Sequence, residues 1–131
     1  MNLTVSQMSF EEIAPIVPIV RKGHMRVRNT ERTIWFGAKI DDELVGIVSC
    51  VLYEEYIFYN TDFVKKEFRN QGIYRKLFEE RDKYASTLKT KKIKAKCTPY
   101  SIRYYLKNGF TVTGMRKSIT FVEKLVGEDI P

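Results

Sequence analysis

Two changes of hydrophobic period, close together, restrict this chain more than any other feature of its sequence. Tyr56–Val64 is an aromatic and β-branched run that reads as a strand. From Gly72 to Leu88 the apolar positions Ile73, Leu77, Tyr84 and Leu88, with Phe78, Arg81 and Ala85 beside them, follow a 3.6-residue period and predict a helix. Lys92–Cys97 then alternates strictly, with Ile93, Ala95 and Cys97 on one side and three lysines on the other, as a half-buried strand does. Strand, helix and strand in that order make a βαβ unit, whose two strands are parallel and joined by a right-handed crossover.

The flanking segments add antiparallel structure. Leu3–Met8 reads as a first strand, and Ser9 with Glu12 three residues on is a capping box that starts a helix. Pro15 and Pro18 make that helix short or irregular, and residues 21–31 form a second helix or a loop. Thr33–Ile40, the turn Asp41-Asp42-Glu43, and Leu44–Leu52 make a hairpin. Thr98-Pro99 has the form of an N-cap followed by proline at the first helical position, with Asn108-Gly109 ending that helix. Thr111–Gly114 and Ser118–Val126 are two more strands, and the tail 127–131 is expected to be loose. The expected fold class is therefore α/β (α+β), with a mixed sheet, in a single domain over residues 1–131, since 131 residues leave no room for a second.

Composition removes several function classes. Cys50 and Cys97 both lie in apolar runs, and the one histidine is His24, so neither a zinc site nor a disulfide framework is expected. No apolar run approaches the ~20 residues that span a bilayer. The N-terminus lacks a basic, apolar signal region, so the expected location is the cytoplasm. The net charge is +7, concentrated in residues 21–32 and 89–96, which admits an acidic or nucleic-acid partner or a phosphorylated cofactor.

The chemistry concentrates where the first strand of the βαβ unit meets its helix. After Val64 comes Arg69-Asn70-Gln71-Gly72-Ile73-Tyr74, with Arg75 and Lys76 behind it. Orphan N–H groups and the dipole at a helix N-terminus suit a pyrophosphate, and Gly72 permits close backbone approach. This stretch resembles the GNAT superfamily of N-acetyltransferases, whose signature is a strand-ending valine followed by Q/R-x-x-G-x-G/A. A second family element, aromatic-Tyr-x-x-x-Gly-Phe, is matched by Tyr104-Tyr105-Leu106-Lys107-Asn108-Gly109-Phe110. The chain departs from the family pattern in three places. Tyr74 stands for the final small residue. Thr98 stands where many members have asparagine. Phe58 stands where some members place a catalytic glutamate.

The resemblance implies a mostly antiparallel sheet of six to seven strands whose two parallel strands splay apart. It implies acetyl-CoA as cosubstrate. The pyrophosphate would lie on the backbone of Gln71, Gly72, Ile73 and Tyr74, near Arg69, Asn70 and Arg75. The pantetheine arm would lie along Phe63 and Val64, with Thr98 close by. The implied activity is acetyl transfer to a primary amine of a small molecule or protein. Tyr105 would protonate the leaving thiolate, while Tyr104, about 100° away on the helix, packs elsewhere.

An amine of pKa near 10 is only ~0.1% neutral at pH 7, and Asp62 or Glu55 is the candidate for relaying its proton through water. Glu54 and Glu55 also read as turn charges, and Tyr105 as a packing residue. Two other functions compete: a nucleic-acid-directed protein of the same fold, motivated by the basic clusters, and a non-catalytic CoA sensor, motivated by Tyr74 and Phe58. Either a monomer or a homodimer fits.

Overall fold

The computed structural model describes residues 2–90 and 92–126. Strand β1 (Leu3–Met8) leads into helices α1 (Phe10–Ile13) and α2 (Val17–Lys22), then strands β2 (Thr33–Ile40), β3 (Glu43–Leu52) and β4 (Ile57–Val64). Helix α3 (Ile73–Ser86), strand β5 (Lys92–Cys97), helix α4 (Ile102–Lys107) and strands β6 (Thr111–Arg116) and β7 (Ile119–Leu125) complete the order. The tail 127–131 lies outside the described residues.

Local chemistry explains the boundaries. The Ser9 hydroxyl accepts the Glu12 N–H at 3.2 Å and Glu12 Oε1 accepts the Ser9 N–H at 3.0 Å, closing the capping box. A 3₁₀ turn at Ala14–Ile16 interrupts the helix, with Pro15 and Pro18 each in the first turn of the segment that follows. In the β2–β3 hairpin Asp41 (φ 47°) and Asp42 (φ 70°) form a two-residue turn, so Glu43 opens the strand instead of closing the turn. The expectation for Thr98 also needs correcting. Ile102 and Ser101 both donate to the Thr98 carbonyl at 3.2 Å, and the helix proper begins only after Ser101. Thr98 thus opens a turn ahead of α4 and is not its N-cap.

One seven-stranded sheet has the order β1-β2-β3-β4-β5-β7-β6. Among the described residues only β4 and β5 pair in parallel, and the other five pairings are antiparallel. One apolar cluster packs α3 against the sheet through Leu77, Phe78, Val48 and Tyr59. A second packs α1 and α2 through Ile13, Val20, Trp35 and Ile47.

Two irregularities in β4 position the site. Its pairing with β5 stops at Tyr59↔Ala95, so its carboxyl half diverges from β5, as the expected splay requires. Its register against β3 also shifts: Ser49 faces Asn60, but Ile47 faces Phe63. Two residues, Thr61 and Asp62, therefore oppose Val48 in a β-bulge, with Thr61 at φ 52°. The bulge resets the alternation. Asp62 reaches α3 on the same face as Tyr59, although the two are three residues apart.

Candidate active site

The loop after β4 turns through Asn70 (φ 64°) and Gly72 (φ 82°) into α3. Gly72 is the N-cap residue and no side chain among the described residues caps the helix, which leaves its first-turn N–H groups without a side-chain acceptor there. A Cβ at Gly72 would meet no atom closer than 3.8 Å, so what demands glycine there is the left-handed backbone. Arg69 donates from Nε to the Val64 carbonyl at 2.8 Å, which ties the loop to the end of β4.

A cleft of about 430 Å³ opens beside this helix end, lined by Gln71, Gly72, Arg75, Arg103, Tyr104 and Lys107. Three cations converge there. Arg75 was expected from its place next to the loop. Arg103 and Lys107, on α4, were not, although their i, i+4 spacing puts both on one helix face.

At the splay, three polar side chains from α3 and α4 meet around Asp62. Arg81 Nη1 donates to Oδ1 at 2.6 Å and Nη2 to Oδ2 at 3.2 Å. The Tyr105 hydroxyl donates to the same Oδ2 at 2.7 Å, and so does the Tyr74 hydroxyl. Arg81 Nη2 lies 3.2 Å from the Tyr105 oxygen, and Nη1 also donates to the Ser49 carbonyl at 3.1 Å. The guanidinium carbon sits 4.0 Å from the Tyr59 ring centroid.

Arg81 and Tyr105 are fully buried. Burial pushes the Tyr105 phenol well above its ordinary pKa; Arg81 works against this and Asp62 adds to it, so the group is protonated at neutral pH. Burial alone would lower Arg81, but Asp62, aided by Tyr105 and Tyr74, moves it well above its ordinary value. Burial, with Asp62 adding, pushes the Cys97 thiol up to about 12, so it carries no thiolate for an acyl-enzyme at neutral pH.

The structure thus brings Asp62, Tyr74 and Tyr105 together, and Gln71, Gly72 and Arg75 at the adjoining helix end. Glu55 is not among them. It lies in the exposed turn before β4, at the end of the strand remote from the splay, about 20 Å from Asp62 at ~3.3 Å per residue. Glu55, the alternative to Asp62 as proton relay, thus stands apart from the cluster around Asp62. Phe58 faces a separate groove with Lys94, Lys96 and Phe121. Tyr104 packs edge-on against Tyr74 with ring centroids 4.6 Å apart. His24 is exposed, in the turn after α2. No group of three or more potential metal ligands occurs among the described residues, and none of their helices is long and apolar enough to cross a membrane.

This geometry agrees with comparisons to known proteins. The structure superimposes on a Thermoplasma acidophilum PaiA N-acetyltransferase in complex with coenzyme A, with TM-score 0.78 and 16% identity over 95% of this chain and 99% of that one. The Escherichia coli ribosomal-protein-S18-alanine N-acetyltransferase gives TM-score 0.83 at 12% identity, over 99% of each chain. Ard1 from Thermoplasma volcanium gives 0.78 at 15%, over 98% of this chain and 100% of that one. No curated protein sequence matches the chain. The acetyltransferase (GNAT) domain family matches residues 4–123, and with the parallel pair, the splay and the uncapped helix in place, the chain belongs to that family.

Proposed function

We propose that this protein transfers an acetyl group from acetyl-CoA to a primary amine. The observation that carries the reading is the uncapped N-terminus of α3 beside a splayed strand pair, with a protonated phenol held at the splay. The site fits the cosubstrate. First-turn N–H groups and the cations of Arg75, Arg103 and Lys107 suit its phosphates. The β4 edge at Phe63 and Val64, free of β5, suits an extended arm. Asn70 shapes the loop through its positive φ, and Thr98 follows β5 directly at the far side of the splay.

When bound, acetyl-CoA supplies an activated acyl group. Tyr105 Oη holds the proton offered to the departing sulfur. Asp62 holds Tyr105: its Oδ2 already accepts three donors, which makes it a poor acceptor for a further proton. The acceptor amine then loses its proton to water. N-acetyltransferases among the structural neighbours support an amine as acceptor.

A screen of small amines and peptide N-termini, followed by thiol release, tests the reading. Release that depends on one class of amine is expected. Binding of acetyl-CoA with no release for any amine would contradict acetyl transfer and favour a CoA sensor.

A further inference from the structure

Arg81 sits on the apolar face of α3, four residues after Leu77 and three after Phe78, with no solvent exposure. A hydrophobic residue there would complete the face. Replacing a buried ion pair by apolar side chains of similar volume is often neutral or stabilising, so fold stability alone does not call for Arg81. The arrangement is also incomplete as a structural device, because Arg81 Nε is buried with no hydrogen-bond partner among the described residues.

What the guanidinium does settle is a direction. It can only donate, and an ionised carboxylate can only accept. The Tyr105 oxygen lies 3.2 Å from Arg81 Nη2 and 2.7 Å from Asp62 Oδ2. Its lone pair therefore faces Arg81 and its hydrogen faces Asp62, so the oxygen is held between the two. Asp62 keeps Arg81 and Tyr74 as donors if the Tyr105 hydrogen leaves. A phenolate at Tyr105 would sit against the cation.

We propose that Arg81 is a positioning residue for acetyl transfer. It fixes the Tyr105 hydroxyl through Asp62 and balances the charge on Tyr105 while its proton is away. The inference rests on the acetyltransferase reading. In that step the Tyr105 hydrogen turns from Asp62 to the sulfur and passes to it as the carbon–sulfur bond breaks, with that bond's electron pair staying on sulfur. Tyr105 recovers a proton from the acceptor nitrogen once the carbon–nitrogen bond has formed. Arg81 itself exchanges no proton; it acts through the Tyr105 oxygen and through Asp62.

The test pairs Arg81→Met with Asp62→Leu, removing both charges while keeping volume, and crosses that double variant with Tyr105→Phe. Three quantities are read: the melting temperature, acetyl-CoA affinity by calorimetry, and kcat with the best amine. Positioning predicts affinity within threefold of wild type and kcat at least tenfold lower. It also predicts non-additivity, with the triple variant no slower than Tyr105→Phe alone. A folded double variant with kcat within threefold of wild type, or losses that multiply in the triple variant, would overturn the inference. If the double variant fails to fold, Arg81→Lys, which loses the planar fork that reaches both Asp62 oxygens and Tyr105, takes its place with the same thresholds. Loss of kcat in Tyr105→Phe with none in the Arg81 series would remove Arg81 and leave the acetyltransferase reading standing.

Discussion

Arg81 Nη1 lies 2.6 Å from Asp62 Oδ1, and the two side chains are 0% and 13% exposed. Nineteen residues separate them in the chain, and their meeting joins α3 to the bulged half of β4. Removing one partner strands the other charge in a site that water hardly reaches. Arg81→Ala or Asp62→Ala is expected to cost about 3–5 kcal/mol, on the order of 10–20 °C in melting temperature for a chain of this size. Replacing both by apolar residues is expected to cost far less. Thermal unfolding of the two single variants and the double variant checks this, and equal losses in all three would contradict it.

Alkaline pH should destabilise the fold. Burial raises the Cys50 thiol to about 11 and the Cys97 thiol to about 12, from an ordinary 9.0. It also raises the Tyr59, Tyr74 and Tyr105 phenols above their ordinary value, aided for Tyr74 and Tyr105 by Asp62. Each raised group keeps its proton in the fold at a pH where the unfolded chain has lost it. Their contribution is whole below about pH 9. It falls between about 9 and 11–12 for the thiols, and from about 10 upward for the phenols, by up to ~1.4 kcal/mol per pH unit for each group. Urea unfolding at pH 8, 9.5 and 11 under reducing conditions should show midpoints falling ever more steeply, whereas a flat profile would contradict the buried, protonated cluster.

Arg103 and Lys107 should matter to the cosubstrate and not to the fold. Both are exposed and line the cleft with Arg75. Replacing both by alanine is expected to lower acetyl-CoA affinity severalfold at low salt, with a smaller difference at high salt because exposed charges are screened. Calorimetry at two ionic strengths reads this directly, and an unchanged affinity at low salt would remove α4 from the site.

Tyr105→Phe is expected to retain acetyl-CoA affinity and to lower kcat, by up to the ~10²–10⁴ usual for general acid catalysis. Tyr104→Phe removes a hydroxyl that is not among the donors to Asp62 in the described residues and should change kcat little. Steady-state thiol release on both variants tests the distinction, and equal rates in wild type and Tyr105→Phe would remove Tyr105 from the chemistry.

Much of this architecture is legible in the sequence. The period change at Gly72 and the alternation Lys92–Cys97 located α3 and β5, because each element buries one face and its sequence must show it. The Arg69–Tyr74 stretch and Tyr105-x-x-x-Gly109-Phe110 pointed to the family. What stayed hidden depends on long-range geometry. Strict alternation along β4 puts Asp62 with Phe58 and Asn60, but the bulge at Thr61 turns it to Arg81, and no local pattern announces a bulge at a threonine. Glu55 and Asp62 lie at opposite ends of the β4 segment, and only Asp62 reaches the cluster with Arg81 and Tyr105. Arg81 did leave a trace: an arginine on the apolar face of a predicted helix implies a buried anion to meet it.

Every step proposed for this site requires the helix end behind Gly72 to bind acetyl-CoA although Tyr74 replaces the usual small residue. Calorimetric titration of wild type and Gly72→Val with acetyl-CoA addresses this directly. Valine cannot readily adopt φ 82° and would misplace the first-turn N–H groups. The predicted result is one-to-one binding by wild type and at least tenfold weaker binding by a folded Gly72→Val. No binding by wild type, or equal affinity in the two proteins, would contradict it.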